Sequence, residues 1–226
     1  MLELLDLSSL QSVRQFAARI CSTQNKLDFL INNAGIVRRG YAKSVDGFEL
    51  TMATNYLGPF LLTELLLPLM ERAGQARVIN VSSVGHYGSK VWKPEFFIPE
   101  KEYSDTKAYD WSKLASVMHA RELSKRLDGT GVVAVSLYPG FVKTESKRVS
   151  DGFFAAIFWM LSRPLQITSW QGAQTTMYTV LTRHLVPGGY YSNCALKTPA
   201  AAALNDDDCK WLWIKSCALV EISSND

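Results

Sequence analysis

Tyr109 and Lys113, in the run YDWSK, stand four residues apart. On a helix that spacing puts both on one face, with the ammonium close to the phenol. The pair suits proton transfer, because a phenol ionises near pH ~10 in water and a fixed neighbouring cation stabilises the phenolate. The same spacing recurs in YSDTK, as Tyr103 and Lys107. Tyr103 lies in the hydrophilic stretch EKEYSDTK, whereas Tyr109 opens a segment whose Leu114, Val117, Met118 and Leu123 form an apolar face, so the reading favours Tyr109. Ser83 closes the run NVSS, where an apolar segment ends. A hydroxyl there either points into a ligand crevice or satisfies backbone groups at a strand end. NNAG at 32–35 and YPG at 138–140 also close apolar runs and admit close backbone approach to a ligand, although turn chemistry alone accounts for each.

The elements that must position these residues alternate. Apolar, strand-like runs occupy 2–7, 27–35, 76–83 and 132–140; helical patterns fill 9–23, 47–71 and 107–127, followed by 169–182, a Pro-Gly-Gly turn at 187–189 and a helix at 205–219. Strands buried on both sides and separated by helices predict an α/β fold: one domain over 1–226, with a doubly wound, mostly parallel sheet and helices on both faces. Ligands in such sheets gather at the C-terminal ends of the strands, where NVSS, NNAG and YPG fall.

Composition excludes several classes. The net charge of +3 is spread among interspersed acidic and basic residues, so no phosphate-tracking stripe and no nucleic-acid partner is expected. Cys21, Cys194, Cys209 and Cys217 show no CxxC spacing and read as small buried apolar groups of a reducing compartment. His86, His119 and His184 lack metal-ligand spacing, so no metal is assigned; His86 reads as an exposed loop residue near the crevice. The longest apolar run, GFFAAIFWML at 152–161, falls short of a membrane span, which suggests a cytoplasmic protein or one in peripheral membrane contact. The start, MLELLDLSSL, lacks a basic region before its apolar residues and reads as a strand.

NNAG, Asn55 within TNYLG, a strand ending in SS, YxxSK, and Pro139 to Thr144 (PGxVxT) occur in one order. Together they resemble the short-chain dehydrogenase/reductase family, over nearly the whole chain. The resemblance implies a Rossmann-like fold and an oxidoreductase using NADP(H), favoured over NAD(H). Carried over by motif, Tyr109 would be the general acid/base, Ser83 would polarise the substrate oxygen, and Lys113 would favour the phenolate and bind the nicotinamide ribose. Asn55 would hold a water linking Lys113 to solvent. Asp6 would contact the adenine, with Asn33, Ala34 and Gly35 beside the adenosine ribose, and Pro139, Gly140, Val142 and Thr144 near the nicotinamide, Val142 and Thr144 receiving its carboxamide. DLSSLxSV, NYLGPFLLT and the text at 169–176 resemble the retinol dehydrogenase-like subgroup, which implies a small hydrophobic alcohol or carbonyl substrate, a homo-oligomer built on the helices at 47–71 and 107–127, and a place at the endoplasmic reticulum surface. The insertion between Ser83 and Tyr109, with Phe153, Phe154, Phe158 and Trp159, builds either an apolar substrate pocket or ordinary core.

The family's opening strand and TGxxxGIG turn find no counterpart, so the sheet is expected to lack its first two strands, leaving 27–33 as an apolar edge. On this reading the chain is either part of an active enzyme or a catalytically silent short isoform acting as a binding or regulatory partner.

Overall fold

The computed structural model of the chain describes residues 2–142 and 166–224. Its five strands are β1 (Phe29–Asn32), β2 (Ala76–Val81), β3 (Val132–Tyr138), β4 (Tyr190–Ser192) and β5 (Ala195–Lys197), in the order β1-β2-β3-β4-β5. The first four run parallel and β5 closes antiparallel on β4.

The period-two alternation of strand side chains divides the core. Ala76 and Val78 of β2, with Val132 and Ala134 of β3, enter a large cluster shared with the helices α1 (Leu10–Thr23), α3 (Gly58–Glu71), α4 (Asp105–Arg126) and α6 (Asp206–Leu219). Ile79, Val81, Val135 and Leu137 point the other way, towards Tyr178 and Val180 of α5 (Ser169–Leu181). The expected doubly wound α/β sheet with helices on both faces is therefore present.

Local chemistry sets the helix ends. Ser9, Ser104, Thr168 and Asn205 cap α1, α4, α5 and α6, each accepting a backbone N–H through its side-chain oxygen. Ser104 starts α4 two residues before the sequence pattern suggests. The expected helix at 47–71 begins at α2 (Leu50–Met52), where the buried Glu49 carboxylate accepts the N–H groups of Thr51 and Met52, both at 2.8 Å. It then passes through a π turn, Ala53–Leu57, before α3. Asn55 sits in the middle of that turn.

Three expectations are corrected. Residues 2–7 form no strand: Leu2 and Leu4 are 98 % and 87 % exposed, and the segment's backbone bonds to side chains of α1, with Arg19 Nη2 donating to the Leu4 carbonyl at 3.0 Å and the Asp6 N–H to Ser12 Oγ at 2.9 Å, rather than to a neighbouring strand. Cys21 and Cys194 are exposed, and only Cys209 and Cys217 are buried. His86 is fully buried instead of lying exposed on its loop.

Of the insertion, Trp92, Phe96 and Ile98 are core: the Phe96 ring meets those of Tyr56, Trp111 and Trp211. Phe153, Phe154, Phe158 and Trp159 lie outside the described residues. The helices α3 and α4 are covered within the chain by α6, whose Trp213 packs 5.1 Å from Phe60 and 5.8 Å from His119, centroid to centroid. The β1 edge is open as expected, with Phe29 43 % and Ile31 40 % exposed.

Candidate active site

The site assembles where β1, β2 and β3 end. In α4, Tyr109 is half-buried and Lys113 is only 5 % exposed. Lys113 Nζ donates to the Val81 carbonyl at 2.9 Å and lies 5.7 Å from the centre of the Tyr109 ring. Burying an ammonium is costly unless it is hydrogen-bonded, so the Val81 carbonyl at the strand end fixes where this charge sits. Ser82 completes the seam by donating its hydroxyl to the Lys113 carbonyl at 2.8 Å, and its backbone N–H reaches Leu137 O at 2.7 Å.

Asn55 joins the NNAG turn to α4. Its Oδ1 accepts the Ile36 N–H at 2.8 Å, while Nδ2 donates to Ile36 O and to Ser112 Oγ at 2.9 and 3.0 Å. Ser112, the serine of YxxSK, in turn donates to the Tyr109 carbonyl at 2.7 Å. Both amide protons of Asn55 are thus held by protein groups. A π turn at this point displaces the helix backbone from its regular ladder, a distortion that recurs at functional sites.

Gly35 shows how closely the parts meet, since a Cβ there would lie 3.2 Å from Lys113 Nζ and 3.3 Å from Asn55 Oδ1. The space a side chain would fill is kept open directly over the buried ammonium. Asn33, Ala34 and Gly35 are all exposed beside it.

Ser83 follows, half-buried, and caps the short 3₁₀ turn Val84–Gly88 by accepting the Gly85 N–H at 3.3 Å. α4 lies tight against this turn, for a Cβ on Gly85 would fall 2.0 Å from Asp110 Oδ1. Burial beside that turn pushes the Asp110 carboxyl up to about 6. Pro139 and Gly140 are half-buried, Gly140 at φ 95°, and Val142 bridges to Ile167. Thr144 lies outside the described residues.

Asp6 stands apart from this constellation. It is exposed and turned onto Ser8, whose hydroxyl and N–H both donate to Oδ1, holding the carboxyl below the ordinary range. The decoy pair also separates. Tyr103 precedes α4 and donates to Glu49 Oε1 at 3.3 Å, while Lys107 Nζ turns to the Glu102 carbonyl at 3.0 Å. Burial, then the Glu49 charge, pushes the Tyr103 phenol up to about 12.

Behind the site, a cavity of about 10 Å³, roughly one water's space, is lined by Asn32, Asn55, Tyr56, Pro59, Asn80, Ser116 and His119. Asn80 is the hub, accepting from Asn32 Nδ2 at 2.9 Å and donating to Ser116 O and His119 Nδ1, both at 3.1 Å. The sequence motifs left Ser112 and Asn80 without a role, although Asn80 carried a signal as a polar residue inside an otherwise apolar run. Ser82 satisfies a backbone carbonyl at the strand end, the plainer of the two roles open to a hydroxyl there, and His86 lies near the crevice but buried.

Residues 3–95 match the family model described as short chain dehydrogenase. Retinol dehydrogenase 12 of Bos taurus is 41 % identical over 96 % of this chain and 69 % of its own length. Retinol dehydrogenase 13 of Homo sapiens is 36 % identical over 97 % of this chain and 68 % of its own. Among solved structures, an uncharacterized protein from Mycobacterium paratuberculosis superposes with a TM-score of 0.76 at 30 % identity, covering 97 % of this chain and 75 % of that one. With the Tyr109–Lys113 helix face, the NNAG turn and the parallel sheet already in place, these similarities make the chain a member of the short-chain dehydrogenase/reductase family of oxidoreductases.

Proposed function

We propose that the protein interconverts a hydrophobic alcohol and its aldehyde or ketone, with a retinoid as the favoured substrate class and NADP(H) preferred over NAD(H). The single observation that carries the reading is the buried Lys113 ammonium, fixed on Val81 O beside the Tyr109 ring and under the open face of Gly35. The residues present fit the ribose and nicotinamide end of a dinucleotide. Lys113 offers a cation where ribose hydroxyls need donors, Gly35 leaves the approach clear, and Asn33, Ala34, Pro139, Gly140, Val142 and Thr144 would line the remainder. A bound nicotinamide would supply or accept the hydride.

The protein's own part is proton transfer and orientation. Tyr109 gives the proton to the substrate oxygen in reduction and removes it in oxidation, and the neighbouring ammonium steadies the charge on its oxygen during the transfer. Ser83 holds the substrate oxygen by a hydrogen bond. Asn55 keeps the NNAG turn, Ser112 and Tyr109 in one frame, and Asp6 would meet the adenine end. The retinoid preference rests on similarity to proteins named retinol dehydrogenases.

Calorimetric titration with NADPH and NADH, followed by reduction of retinal monitored at the cofactor absorbance, tests the reading. Tighter binding of NADPH with turnover of retinal is expected. Absence of binding by either dinucleotide contradicts it, and turnover confined to small polar carbonyls removes the substrate assignment alone.

A further inference from the structure

His86 follows Ser83 by three residues, and its side chain is buried to 0 % exposure. Nδ1 lies 2.6 Å from the Ser83 carbonyl oxygen and Nε2 lies 3.2 Å from the Ala200 backbone nitrogen. The partners fix the tautomer. A backbone N–H can only donate, so Nε2 is the acceptor, and a carbonyl can only accept, so the proton is on Nδ1. Burial holds the imidazole below its ordinary pKa, hence neutral, as these two bonds require.

The Ser83 carbonyl also accepts the His86 backbone N–H at 3.2 Å, so one residue grips it twice. The neighbouring Tyr87 donates to Thr198 O at 2.7 Å, and the His86 ring packs 3.9 Å from the Tyr87 ring and 4.7 Å from that of Tyr190 in β4. The serine turn is thereby tied to main chain more than a hundred residues away. On its other side Asp110 of α4 abuts Gly85. Ser83 is thus set between the helix carrying Tyr109 and the segment after β5.

We propose that His86 is a positioning residue for the reaction: through its Nδ1–H bond to the Ser83 carbonyl it sets the Ser83 hydroxyl against the substrate oxygen. This rests on the proposed role of Ser83. Two amide variants divide the imidazole. Asn at 86 places its Nδ2 near the former Nδ1 and can still donate to Ser83 O, whereas Gln extends to the former Nε2 position and can still accept from Ala200 but leaves Ser83 O without its side-chain donor.

The test compares His86→Asn, His86→Gln and Ser83→Ala in the full chain, with NADPH and retinal. His86→Gln is expected to lose about 10- to 100-fold in kcat, as misplaced catalytic groups do, with NADPH affinity unchanged within a few-fold, while His86→Asn recovers most of that loss. Equal kcat for the Asn and Gln variants, or a better Gln variant, overturns the positioning role and leaves a fold clamp. A fully active Ser83→Ala variant instead removes the role of Ser83 and the inference with it. Should turnover be absent, 15N-correlated spectra decide: an Nδ1–H signal for His86, with the Ser83 and Gly85 amide shifts kept in His86→Asn and displaced in His86→Gln, supports the inference. An Nε2–H tautomer, or equal displacement in both variants, overturns it.

Discussion

Two tyrosine–lysine pairs of identical spacing lie six residues apart, and the fold treats them oppositely. Tyr109 and Lys113 are both inside α4, with the ammonium buried against a strand end. Tyr103 ends a 3₁₀ turn outside that helix, so its four-residue separation from Lys107 confers no shared face. Its hydroxyl faces a carboxylate, and negative charge beside a phenol opposes ionisation. The contrast shows that i,i+4 spacing has chemical meaning only where the helix already exists, and Ser104, which caps α4, marks where that begins.

The largest expected effect breaks the contrast on its cationic side. Lys113→Ala removes the buried ammonium and should lower kcat by about 10²–10⁴-fold and weaken NADPH binding, whereas Lys107→Ala should leave both unchanged. Steady-state kinetics with dinucleotide titration checks this, and a similar loss in the two variants would show the pairs to be equivalent.

A smaller effect concerns the frame that brings Asn55 to the pair. A Cβ on Gly58, just past the π turn, would lie 2.2 Å from the Leu7 carbonyl oxygen. Gly58→Ala should therefore destabilise the chain by about 1–3 kcal/mol, as overpacking does, measured by urea denaturation. A variant of unchanged stability would mean that the 2–9 segment yields freely.

Comparable in size, Glu64 of α3 gives a pH signature separate from the site. Burial pushes its carboxyl from 4.5 to about 7, against a smaller opposing pull from Arg126. Because the folded value is raised, the contribution is fully present below pH 4.5 and is lost as pH rises through about 7. Glu64→Gln should thus gain about 3 kcal/mol over the parent at pH 8 relative to pH 4. Denaturation at the two pH values checks it, and equal differences would show that Glu64 ionises at its ordinary pH. Smallest of all, Tyr103→Phe loses one hydrogen bond to Glu49 and should cost about 1 kcal/mol, read as a lowered melting temperature.

What the sequence made legible follows from where the information sits. β2 and β3 were found within two residues because apolar runs buried on both faces are self-evident. Residues 2–7 carry the same pattern yet form no strand, since pairing is supplied by a neighbour and not by the run itself. β4 and β5, three residues each, are too short to show a period, and only Asn193 and Cys194, at φ 51° and 56°, mark the hairpin. Tyr109, Lys113, Asn55 and Gly35 were legible as ordered motifs and meet in space. His86 was legible as a residue near the crevice but not as a buried one, because its acceptor bond spans 114 residues.

The most direct test of the account is the paired kinetics of Tyr109→Phe and Tyr103→Phe, each measured with NADPH and retinal alongside NADPH affinity. Only the proton-transferring hydroxyl is removed from the first, so kcat should fall by about 10²–10⁴-fold with cofactor binding within a few-fold, while the second retains parental turnover. An inactive Tyr103→Phe beside an active Tyr109→Phe would contradict the assignment of the reacting pair.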